Sequence, residues 1–166
     1  MKKFTILIIA FLVSFPTSYS QLCQWADMID GNGIDYVECV TNDAAGNFYV
    51  CGSSSSGTIN FNNGITLTSS GYYDGFIAKY NSDGLCQWAR KIAGSSNDKA
   101  YSCNVDFEGS VIVTGEFESY TLWLDDSVSL SGYGTSDSYI AKYNNNGFCL
   151  WAERIYGPGR HRGYSI

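Results

Sequence analysis

The sequence predicts an all-β chain built from a four-stranded unit that repeats every 63 residues. Three observations lead there. The string Cys23-Gln24-Trp25-Ala26 returns as Cys86-Gln87-Trp88-Ala89 and, with one change, as Cys149-Leu150-Trp151-Ala152, at the same interval each time. Between the copies run short segments rich in β-branched and aromatic residues, broken by Asp/Asn-Gly turn sequences. Nothing after residue 20 shows helical periodicity or a capping box ahead of an apolar run. A fixed period of this length describes units that cannot bury their apolar faces alone and stack on their neighbours. Four main strands and a small hairpin per unit suit a β-propeller blade better than the much shorter coil of a β-helix.

Taken in order, the chain begins with an address. Met1-Lys2-Lys3 is a basic start, Phe4 to Phe15 is apolar, and small Ser18 and Ser20 precede Gln21, which reads as a cleaved signal peptide over residues 1–20. A membrane anchor would need nearer to twenty apolar residues, so no stable membrane insertion is expected after cleavage. Residues 21–26 are a lone copy of a blade's last strand. Residues 27–89 form the first repeat and 90–152 the second, while 153–166 begin a third. A unit that stops inside a strand predicts a truncated propeller whose open blade edges self-associate.

Within the first repeat, Val37–Asn42 and Phe48–Gly52 flank Asp43-Ala44-Ala45-Gly46, in which the carboxylate starts the turn and glycine closes it. A second hairpin follows, with Thr58–Phe61 and Ile65–Leu67 around Asn62-Asn63-Gly64. Asp74–Asn81 is the most faithfully copied strand, returning as Asp137–Asn144. It leads through Ser82-Asp83-Gly84 into Cys-x-Trp-Ala.

The ordered set Asp74 to Tyr80, Asp83-Gly84, Trp88-Ala89 and Asp106-x-x-Gly109 to Gly115 resembles the SBBP family of β-propeller repeats across nearly the whole chain after residue 20. The resemblance implies a secreted or surface propeller of the kind found in large bacterial envelope proteins, adhesive in some. It implies no catalytic residues and no cofactor.

Ten basic against 16 acidic side chains give a net charge of −6, which argues against nucleic acid as a partner. Neither a nucleophile elbow nor a phosphate loop is present, and the only histidine is His161. The aspartates 35, 43 and 74 recur as 98, 106 and 137, as expected of residues that hold turns or pair with Lys79 and Lys142.

Periodicity also sorts the aromatics. Trp25, Trp88 and Trp151 recur and are expected in the core, whereas Trp123, Tyr120, Phe117, Tyr72 and Tyr73 do not recur and are the candidates for an exposed contact surface. Its expected ligand is a protein, in a scaffold or adhesive role; alternatively the chain is a carbohydrate-binding propeller or an accessory part of a polysaccharide-degrading enzyme.

The cysteines divide the same way. Cys23, Cys86 and Cys149 are expected as small buried hydrophobes, and Cys103, where the first unit has Val40, as core. Cys39 and Cys51 lie on either side of one turn, and both are replaced in the second repeat, by Ser102 and Thr114. They are either a cross-strand disulfide or two small strand residues.

Overall fold

The computed structural model describes residues 23–133 and 135–166, and the expected signal peptide lies outside them. The described residues form thirteen strands and no helix. In chain order the first seven are β1 (Asp30–Gly31), β2 (Asp35–Asn42), β3 (Phe48–Ser54), β4 (Thr58–Asn60), β5 (Thr66–Thr68), β6 (Asp74–Tyr80) and β7 (Cys86–Ile92). The rest are β8 (Asp98–Val105), β9 (Val111–Phe117), β10 (Thr121–Trp123), β11 (Ser129–Ser131), β12 (Asp137–Tyr143) and β13 (Cys149–Ile155). Strands β8 to β13 repeat the bounds of β2 to β7 with a constant offset of 63.

Two four-stranded antiparallel sheets carry the fold, one ordered β2-β3-β6-β7 and the other β8-β9-β12-β13. Each is a propeller blade. The register of each innermost pair slips once, between Val37 and Cys39 in the first blade and between Ala100 and Ser102 in the second. Glycine is required opposite that bulge: a Cβ on Gly52 or Gly115 would lie 1.9 Å from the carbonyl oxygen of Tyr36 or Lys99.

The turns between strands behave as their sequences predict. The Asp43 carboxylate accepts hydrogen bonds from the amides of Ala45 (3.0 Å) and Asn47 (2.9 Å), and Gly46 closes the turn at φ 81°. Asp106 repeats this with the amides of Glu108 and Ser110, both at 2.9 Å. Lys142 pairs with Asp106 at 2.7 Å. Its copy Lys79 departs from the expected pairing, because its ammonium bonds Asn145 of the neighbouring blade and lies 5.4 Å from the Tyr49 ring centre.

The main core lies between the blades, where β8 packs across β2 and β3. Ala100, Cys103, Val111 and Val113 of the second blade meet Tyr49, Cys51, Ile77 and Ile92 of the first. A second cluster, around Phe61, Phe76 and Tyr80, fills the outer part of the first blade.

The recurring tryptophans fasten one unit to the next. The Trp88 indole N–H donates to the Asn145 carbonyl at 2.9 Å, and the ring lies against Gly147, where any Cβ would come within 2.7 Å of it. Trp25 takes the same place against Gly84 and stacks on Tyr80, with centroids 6.3 Å apart. Of the segment expected as a lone final strand, residues 21–26, the described residues 23–26 form no strand. Two expectations of burial need correction. Cys23 is exposed. Trp151 is not core but 41 % exposed, because no described residue covers it as Asn145 and Gly147 cover Trp88.

Candidate functional site: the groove between the blades

The variable hairpin of each unit is tied to the chain segment that enters it. In the first blade β4 pairs with β1, Asn60 opposite Asp30. In the second, Trp123 and Ala93 exchange both backbone hydrogen bonds, at 2.9 and 3.0 Å. The hairpin β10–β11 therefore belongs to the second blade while its backbone is hooked to the exit of β7 in the first. This double attachment holds the Trp123 backbone rigidly and leaves its side chain 50 % exposed.

Beside it runs an open groove of about 1870 Å³. The floor is Trp88 and Arg90 of β7. One wall is the β4–β5 turn, from Gly64 to Leu67, and the other is formed by β10, Asp125–Ser127 and the 145–148 turn, with Tyr120 and Phe148 at its margins.

Four of the five charged side chains in the groove are spent on the fold. The Arg90 guanidinium donates to the carbonyls of Gly147 (2.8 Å) and Asn146 (3.3 Å) and sits 5.8 Å from both the Trp88 and Phe148 ring centres. Lys91 donates to the Thr68 carbonyl at 2.7 Å. Burial lowers the Lys79 ammonium below the ordinary lysine range, against the opposing pull of Asp43. Asp125 accepts from the amides of Ser127 (2.8 Å), Val128 (2.8 Å) and Cys149 (2.9 Å), and these outweigh its burial to hold the carboxyl below its ordinary value. A carboxylate fixed by three amides is a turn anchor and a poor proton shuttle. Rings, together with the exposed Asp126 carboxylate and Ser127, are what the groove offers a ligand. Among the described residues no group of three or more His, Cys, Asp or Glu is placed to hold a metal ion.

The five aromatics singled out by their lack of periodicity separate here. Trp123 and Tyr120 share the groove, Tyr120 being 86 % exposed. Tyr72 is exposed outside it, and Tyr73 is half-buried with its ring 6.3 Å from Tyr36 and the Lys99 ammonium 5.3 Å from its centre. Phe117 is a correction: it is 1 % exposed and packs edge-on against Tyr139. In the first blade the matching ring, Phe76, meets Phe61 instead. The second blade has Leu124 at the Phe61 position and Phe117 where the first has Ser54, so the same core space is filled from another strand.

Phe148 also lines the groove; its copy in the first repeat is Leu85, so a comparison of repeats shows only one apolar residue exchanged for another. Cys39 and Cys51 stand opposite each other in the β2–β3 register, and the structure gives both as free thiols rather than a disulfide.

No family model matches the chain. It is 25 % identical over 179 aligned positions to an uncharacterised WD repeat-containing protein of Acanthamoeba polyphaga mimivirus, an alignment covering 87 % of this chain and 13 % of that protein. The chain thus spans well under two thirds of the relative's length. The repeat architecture of the blades agrees with that likeness, which extends to a propeller-type scaffold and no further.

Proposed function

We propose that the chain is an exported, non-enzymatic β-propeller segment that serves as a scaffold for a protein partner, with the inter-blade groove as its docking surface. The observation that carries this reading is the pairing of Trp123 and Tyr120: the repeat does not require either ring, yet both are exposed along one groove on a rigidly anchored hairpin. Large rings held in place at low entropic cost are the usual anchors of protein interfaces. The likeness to a WD repeat-containing protein supports the scaffold role. Export to the cell surface or beyond rests on the basic start, apolar run and small residues of positions 1–20.

Selection of a displayed random-peptide library on the purified chain tests it. Enriched peptides that lose at least tenfold in affinity with Trp123→Ala support the docking reading. Peptides that bind Trp123→Ala as well as the parent chain place the surface elsewhere and contradict it.

A glycan is the second reading, favoured by the same exposed indole, since flat rings stack on sugar faces. A glycan array separates the two. Reproducible binding that Trp123→Ala abolishes supports the sugar, and a blank array supports the protein.

A further inference from the structure

Three of the six thiols come together at the blade interface, away from the groove. Cys39 and Cys51 are opposite residues on β2 and β3, and Cys103 reaches them from β8 of the other blade. The Cys39 thiol points across the interface, donating to the Cys103 carbonyl at 3.5 Å. The Cys103 thiol points back, lying 3.8 Å from the Tyr49 carbonyl of β3. Cys51 and Cys103 are buried in the same core cluster, and Cys39 packs against it. Cys51 and Cys103 are buried, and only Cys39 has solvent access.

Sulfur is not needed there by the fold. One period later the three positions are Ser102, Thr114 and Ile166, and they build the corresponding contact without it: the Ile166 amide donates to Ser102 Oγ at 3.3 Å. The thiols are therefore particular to one interface.

We propose that Cys39 and Cys103 are a covalent modification site, forming an inter-blade disulfide by exchange with a low-molecular-weight disulfide. The Cys39 thiolate attacks the small disulfide, forming a mixed disulfide and releasing one small thiol. The Cys103 thiolate then attacks the Cys39 sulfur and releases the second. Two protein thiols are oxidised, one small disulfide is reduced to two thiols, and the two protons leave with them. The neighbouring Cys51 thiol holds Cys103 below the ordinary thiol range, which favours it as the resolving group, while proximity to Cys103 and burial raise Cys51. The inference stands apart from the groove reading, because none of the three cysteines lines the groove.

Sequence makes the test direct. No lysine or arginine separates Cys39 from Cys51, whereas Lys79, Arg90, Lys91 and Lys99 lie between them and Cys103. The full chain is equilibrated with oxidised glutathione, alkylated, digested with trypsin and mapped by mass spectrometry. The expected product is a two-peptide link through Cys103, absent from Cys39→Ser and Cys103→Val, with a melting temperature raised by about 5 °C or more over the reduced chain. Serine and valine are the residues the repeat itself carries at these positions, and melting of the reduced variants establishes that they fold. A single-peptide Cys39–Cys51 link, a link that persists in Cys39→Ser, or three alkylated thiols would each overturn the proposal.

Discussion

Exposure and burial at single positions decide which aromatic residues belong to the fold and which are available to a partner. Phe117 and Tyr120 look alike in the sequence, both unmatched by the other repeat, yet one fills the space between β9 and β12 and the other stands in solvent. Phe117→Ala is expected to cost about 3–5 kcal/mol and Tyr120→Ala less than about 0.5 kcal/mol, as read by urea unfolding. Comparing repeats finds positions where the fold tolerates a change, and a compensated exchange such as Ser54/Phe61 for Phe117/Leu124 passes the same filter as a surface residue. Nothing in a one-dimensional comparison separates the two, because the compensation joins residues on different strands.

Ionisable groups follow a similar logic at this scale. Burial raises the Glu116 carboxyl, but the Tyr101 hydroxyl at 2.6 Å and the Arg162 guanidinium at 2.7 Å more than offset it and hold the pKa below the ordinary 4.5. A carboxyl lowered in the folded state stabilises fully above its unfolded value, and that contribution is lost as pH falls through the lower folded value. The slope of stability against pH below 4.5 should therefore be shallower in Glu116→Gln, measured by thermal melts in a pH series. An unchanged slope would mean that the Arg162 contact does not persist in solution.

At the level of strands and turns, most of the architecture was legible. The turn aspartates, the positive-φ glycines and the alternating strands obey local rules, so they could be located without any knowledge of packing. What lay beyond reach was how units meet. The Trp88 ring is seated on Gly147 and hydrogen-bonded to Asn145, residues 57 or more positions away that no local pattern links to it. Gly147 has φ 78° and no room for a Cβ beneath the indole. Gly147→Ala is accordingly expected to destabilise by more than the roughly 1 kcal/mol typical of a positive-φ glycine in open space, such as Gly109, which has nothing within 4 Å of its Cβ position. Equal losses for the two substitutions in chemical denaturation would contradict the seating of Trp88.

Over the whole molecule, the repeat leaves two faces uncovered among the described residues. Val37 and Val40 of β2 are exposed, although their copies Ala100 and Cys103 on β8 are buried; Trp151 and Ile155 of β13 are exposed, although Trp88 and Ile92 are buried. Apolar faces shaped by one repeat to receive the next invite association. The chain alone should self-associate at high concentration, and Val40→Lys with Trp151→Lys should restore a monomer. Light scattering that finds the parent chain monomeric throughout would contradict this.

The central claim is that the groove, rather than exposure alone, selects the contact surface. Phe107 provides the control, since it is aperiodic, 98 % exposed and outside the groove. The most direct measurement is calorimetric titration of a library-selected peptide into the parent chain, Trp123→Ala and Phe107→Ala. Loss of at least tenfold in affinity with Trp123→Ala and no change with Phe107→Ala is the predicted result. An equal loss in both, or a loss only with Phe107→Ala, would contradict it.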